Sequence, residues 1–137
     1  MLISTKGRYA LRIMIDLARH DKDEYVPLKE IAARQGMSEK YLEAIIKVLV
    51  TNNMVTGLRG KKGGYKLCKP PAEYTAWDII SIMENDFCAV ACLAPDAPAC
   101  ERADQCATLP MWKDFNANLQ NFFQRYTLEK LAKQMKK

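Results

Sequence analysis

Four of the five cysteines, Cys88, Cys92, Cys100 and Cys106, fall within nineteen positions. Thiols gathered that closely suit a metal or redox chemistry. The pattern Cys92-x7-Cys100-x5-Cys106 lacks the tight C-x2-4-C pairs of zinc ribbons and fingers. Zinc is therefore a weaker reading than iron, and an iron-sulfur cluster would organise a polar, Pro-containing loop (about 89–109) with few apolar residues of its own. A loop that orders on binding makes a switch. Disulfides fit poorly, because the cysteine count is odd and the N-terminus leads into a charged amphipathic pattern rather than a secretory signal. Cys68, alone at a strand end, reads as a small buried hydrophobe and not as a ligand.

A second group of residues suits a polyanion. Between Gly57 and Lys69 stand Arg59, Lys61, Lys62, Lys66 and Lys69 with no acidic residue among them. Residues 1–74 carry 14 Lys+Arg against 8 Asp+Glu, whereas residues 75–129 carry 3 against 8, inside a total of +5. A basic front half therefore precedes an acidic middle. Charge alone also describes the solvated surface of a basic protein, so the position of these residues on their elements decides the reading.

Those elements follow from periodicity. From Thr5 to about Arg19, Ala10, Ile13, Met14, Leu17 and Ala18 recur at helical spacing among Lys6, Arg8, Arg12, Asp16 and Arg19. Val26-Pro27 starts a short helix over Leu28–Arg34, which stops at Gly36. Ser38 is an N-cap for the next helix, whose Leu42, Ile45, Ile46, Leu49 and Val50 turn to the core. Ser38, Glu39, Lys40, Tyr41, Glu43, Ala44 and Lys47 stay outside. Met54–Arg59 alternates like a strand, residues 60–64 make a Gly-rich turn, and Tyr65–Cys68 returns. The pair of helices followed by this hairpin predicts a winged helix-turn-helix: a helix fits the ~12 Å major groove while the basic tip reaches neighbouring phosphates. A winged helix that binds protein is the competing reading.

The chain changes character near Pro70-Pro71, since all six glycines lie at or before Gly64. The expected organisation is a DNA-binding domain over 1–71 and a remainder over 72–137. In the remainder, Thr75 caps a helix bearing Ile79, Ile82 and Met83 and ending near Asn85. After the cysteine loop, Pro110 opens a long helix to about residue 130, with Trp112, Phe115, Leu119, Phe122, Phe123 and Tyr126 at three- and four-residue steps. That stripe is too wide for so small a unit to cover, which predicts a homodimerisation face, part of it packed on the chain's own first helix. The fold class is thus mainly α with a small β-hairpin wing. A symmetric dimer predicts palindromic double-stranded DNA with half-sites about one turn, ~34 Å, apart. In 137 residues with 49% hydrophobic and 27% charged content there is no second full domain, global disorder or bilayer span, and the cytoplasm is the expected location. No nucleophile-base motif or Gly-rich nucleotide loop is present, so no enzymatic activity is expected.

The segments Ser4-Thr5-Lys6-Gly7-Arg8-Tyr9-Ala10, Val26-Pro27-Leu28-Lys29-Glu30-Ile31-Ala32, Ser38 to Glu43, Arg59-Gly60 and Gly63-Gly64-Tyr65 resemble IscR-type regulators of the Rrf-two family of winged-helix regulators, whose relatives include NsrR-like nitric oxide sensors and CymR-like cysteine-metabolism repressors. The resemblance extends through the three-cysteine loop, Trp112 and Thr127 to Leu131. It implies a homodimer on palindromic promoter DNA, with an iron-sulfur cluster, [2Fe-2S] in the leading expectation, on Cys92, Cys100 and Cys106. It also implies Ser38, Tyr41 and Glu43 on the recognition helix and Arg59 at the wing, alongside the exposed basic positions Lys40, Lys47, Lys61 and Lys62. Two departures stand out. Lys40 replaces a small polar residue, and Leu109 stands where IscR-like proteins place a ligand histidine. Cys88 offers a fourth thiolate, Glu101 or Asp104 a carboxylate, and a partner chain or a small thiol are further sources; equally, Cys88 reads as a core thiol at a helix end. A repressor of the same fold controlled by thiol redox or by a metabolic-enzyme partner is the alternative, and a zinc-binding scaffold the remote one.

Overall fold

The computed structural model describes residues 3–85 and 87–134; Met1 and Leu2 of the N-terminal reading and the terminal Lys136 and Lys137 lie outside them. In chain order the elements are α1 (Thr5–Ala18), α2 (Leu28–Gln35), α3 (Glu39–Thr51), the antiparallel strands β1 (Val55–Leu58) and β2 (Gly64–Leu67), α4 (Ala76–Met83), α5 (Leu109–Gln124) and α6 (Leu128–Gln134). This is the expected mainly helical fold with a hairpin wing.

The core forms around α1. Ala10, Ile13 and Met14 are fully buried and pack with Ile31 of α2, Leu42, Ile45, Ile46 and Leu49 of α3, Val55, Tyr74, Ile79 and Leu128. Local chemistry sets the boundaries. Ser4 caps α1 by accepting from the Gly7 amide, and its own amide and hydroxyl donate to Glu84 Oε1 at 2.8 and 2.7 Å, which ties the start of α1 to the end of α4. Gly36 ends α2 in the left-handed region at φ 65°, which a residue with a Cβ adopts at a cost. Thr75 and Asp78 close a reciprocal capping box on α4.

The hairpin pairs Val55 with Leu67 and Leu58 with Gly64. Its base is clamped twice. Tyr65 exchanges two 2.8 Å backbone hydrogen bonds with Val26, and a Cβ on Gly64 would run into the Val26 carbonyl, so this close crossing requires glycine. On the other side the buried Tyr74 hydroxyl donates to the Met54 carbonyl (2.7 Å) and accepts from the Cys68 and Lys69 amides (both 3.1 Å).

Three expectations need correction. Cys68 is exposed, because Leu67, its neighbour, takes the inward side of β2 and alternation turns Cys68 outward. Val50 is 38% exposed, since it lies on the flank of α3 that faces the wing and not on the Leu42–Leu49 face. The long helix expected over 110–130 is two. At Arg125 and Tyr126 the amides tighten onto the carbonyls of Phe122 and Phe123, ending α5, and Thr127 starts α6 by accepting from the Lys130 amide. The turn between them is held by Ala76 donating to the Tyr126 carbonyl and Leu128 donating to the Tyr74 carbonyl. Among the described residues no helix is long and apolar enough to cross a membrane.

Candidate nucleic-acid interface and cysteine loop

Helix α3 turns Leu42, Ile45, Ile46 and Leu49 inward, and Ser38, Glu39, Lys40, Tyr41, Glu43, Ala44 and Lys47 are all exposed. The Ser38 hydroxyl accepts from the Tyr41 amide at 3.1 Å, so the solvent-facing start of α3 is fixed. Glu39, Glu43 and Lys47, four residues apart, line a groove of about 840 Å³ whose opposite wall is the wing, from Gly57 through Arg59 to Tyr65, with Lys29 at the start of α2. Arg59, Lys61 and Lys62 are exposed at the wing tip. The structure therefore brings the expected α3 and wing residues to one side of the molecule.

What lies on the other flank of α3 was not legible in the periodicity. Tyr41, roughly 160° round the helix from Glu39, packs edge-on against Tyr9 of α1, with ring centroids 5.7 Å apart. Arg12 lies over the Tyr9 ring at 4.9 Å and donates to both the side chain and the backbone carbonyl of Gln35. Asp16, the buried acid of α1, accepts from Arg34 Nε and Nη2 (3.0 and 2.9 Å) and from Gln35 Nε2 (2.9 Å). The carboxylate hydrogen bonds hold the Arg34 guanidinium above its ordinary pKa and outweigh its partial burial. These bonds lock α2 on α1, and hence the platform under α3. Only the charge pattern of α1 hinted at them.

The cysteines follow a different logic. Cys88 is buried, with its thiol donating to the Val90 carbonyl. Cys92 and Cys100 are exposed in the loop. Cys106 is half-buried beside Thr108, Sγ to Oγ1 3.4 Å, and the Thr108 hydroxyl and amide, with Arg102 nearby, hold its thiol below the ordinary range. The loop is tied to α5 by the Ala89 amide donating to Asn116 Oδ1 at 2.8 Å. Among the described residues no three Cys, His, Asp or Glu side chains meet as a metal-binding group. As arranged, then, the four thiols do not fit a cluster.

Helix α5 has no buried residue; Met111, Phe115 and Phe122 are among the large exposed hydrophobics. Phe123 turns back through Phe87 to Trp77 of α4, with centroids 6.1 and then 5.2 Å apart.

An exposed, capped helix beside a basic hairpin defines a winged helix-turn-helix DNA-binding protein with an appended cysteine loop and aromatic helix. Residues 3–134 match the family Rrf2, described as "Iron-dependent Transcriptional regulator", and the chain belongs to that family. It is 34% identical over 132 residues to the HTH-type transcriptional regulator IscR of Serratia proteamaculans, covering 96% of this chain and 79% of that one. It is also similar to solved structures of CymR, the global cysteine regulator of B. subtilis (34% identity, TM-score 0.79, 99% of each chain), and of T. potens IscR (33%, TM-score 0.74, 100% of this chain and 93% of that one). These relatives are transcriptional regulators, not enzymes.

Proposed function

We propose that this transcriptional regulator acts as a homodimer on palindromic promoter DNA in the cytoplasm, with residues 1–71 as the reading unit and 72–137 as the dimerising and sensing unit. The observation that carries this is the placement of α3 and the wing on either side of one groove. Glu43 accepts from a cytosine amino group, Arg59 enters a groove, Ser38, Lys40 and Tyr41 sit at the reading end of α3, and Lys47, Lys61 and Lys62 take phosphates. Operator affinity should fall steeply with salt, and Lys61→Ala with Lys62→Ala should lower that slope by about 0.9 for each phosphate left without its cation. A salt-independent affinity would sink the assignment.

The signal enters at the cysteine loop. An iron-sulfur cluster, [2Fe-2S] in type, on Cys92, Cys100 and Cys106, with Cys88 as the tentative fourth ligand, is supported by the family's iron-dependent description and by the IscR likeness. It requires the loop to close and to draw thiols together that now stand apart. Control without iron, by thiol oxidation or a metabolic-enzyme partner, is favoured by one specific observation, the lowered and partly accessible Cys106 thiol. Anaerobic purification followed by absorbance, iron and acid-labile sulfide assays separates the two. Visible bands with stoichiometric iron and sulfide, lost in Cys106→Ala, establish the cluster, and Cys88→Ala reports the fourth ligand. Colourless protein that resists reconstitution leaves thiol or partner control.

A further inference from the structure

We infer that α1 carries a second phosphate-binding face, centred on Arg8 and Arg12, so that each protomer holds the DNA backbone on both flanks of α3. The inference rests on α3 being the element that enters the groove.

Three observations converge on it. First, position: the Tyr9–Tyr41 contact sets this face of α1 against the start of α3. Glu39, Glu43 and Lys47 look toward the wing, whereas Tyr41 looks toward α1, so the wing and α1 flank the helix on opposite sides. Second, charge: Thr5, Arg8 and Arg12 form one exposed row at three- and four-residue steps. Its next member, Asp16, is buried and neutralised by Arg34, so the row presents cations with no exposed carboxylate in α1. Third, availability: among the described residues neither Arg8 nor Arg12 is in an ion pair. Arg8 donates only to Thr5 Oγ1 within its own turn, and Arg12 is held in place by Gln35 and the Tyr9 ring. A guanidinium with its plane fixed and donors to spare is suited to a phosphate.

The wing reaches one strand of the duplex and the α1 row the other. Phosphates held by this row add affinity without sequence preference.

The test uses the full-length protein, a fluorescent operator duplex and a scrambled duplex, titrated over a range of potassium chloride. Arg8→Gln should lower the salt slope by about 0.9 per protomer, hence about 1.8 for the dimer, with equal proportional losses of affinity on both duplexes, while Arg8→Lys keeps the slope. Phosphate-ethylation interference should be relieved on one strand by Arg8→Gln and on the opposite strand by Lys61→Ala/Lys62→Ala. A steep wild-type slope unchanged in Arg8→Gln overturns the α1 face and leaves the α3 and wing reading standing, as does relief on the same strand as the wing variant. A wild-type protein with no salt-dependent affinity overturns both. Arg8 is exposed, so a thermal melt of Arg8→Gln matching wild type confirms that a weaker affinity reflects the missing guanidinium and not an altered fold.

Discussion

At the scale of single residues, Cys106 differs from its loop neighbours because its thiolate is stabilised: Thr108 donates to it and Arg102 lies nearby. A lowered pKa enlarges the thiolate fraction at neutral pH, so in metal-free protein Cys106 should alkylate faster than Cys92 or Cys100 although it is less exposed. Its pH-rate midpoint should sit below theirs, and Thr108→Val should move it back up. Peptide mass spectrometry after timed iodoacetamide treatment checks this, and equal rates at all three would discard it. Arg59 makes a second claim at this scale. Arg59→Ala should weaken operator binding more than non-specific binding, by roughly 1–3 kcal/mol in discrimination if the side chain reads a base; equal losses would make it only a phosphate contact.

At the scale of elements, the wing depends on Tyr74. Its hydroxyl takes three backbone hydrogen bonds where β1 begins and β2 ends. Tyr74→Phe should cost roughly 1–3 kcal/mol by leaving the Met54 carbonyl and the Lys69 amide without that partner. Burial raises the Tyr74 phenol above its ordinary value of 10.0. The protonated form is therefore the one the fold favours. This stabilisation is complete below pH ~10 and is lost as pH rises through the higher folded-state value. Thermal melts from pH 8 upward should show wild type losing stability faster than Tyr74→Phe at the alkaline end. Much of this scale was legible in the sequence, because Ser38, Gly36, the Thr75–Asp78 box and the Gly-rich turn are local signals with local causes. Tyr74 was not, for its partners lie as far as twenty residues upstream and its importance comes from a tertiary junction. The exposure of Val50 was missed for a related reason: periodicity places it near the apolar face, and only the wing's position decides which flank it serves. Likewise the break between α5 and α6 comes from the crossing with Thr75 and Tyr74, which no helical pattern in residues 110–130 announces. Among the site residues, the α3 and wing positions were legible as exposed members of amphipathic elements, whereas the spatial relation of the cysteines depends on a loop with few contacts to fix it.

At the scale of the whole molecule, α5 has Phe115 and Phe122 48% and 44% exposed, which leaves apolar surface for a second copy to cover. Phe122→Asp should yield monomers by light scattering and weaken operator binding by removing the paired half-site; a dimer of undiminished stability would place the interface elsewhere. Phe123→Ala is a different case, since Phe123 packs inward on Phe87 and should cost stability before assembly.

Leu128 has a further consequence. It is fully buried in the same core as Ile13 of α1 and Leu42 of α3, and its amide closes on the Tyr74 carbonyl. The reading end of the molecule is encoded early in the chain, yet its foundation is finished by a residue made late. A nascent polypeptide still attached to the ribosome, with residue 128 inside the exit tunnel, should therefore hold α3 and the wing on an unfinished core, and should bind operator weakly until translation has passed that point. The order of synthesis thus acts as a timer, delaying competence for DNA until the segment that joins the aromatic helix to the reading head has emerged.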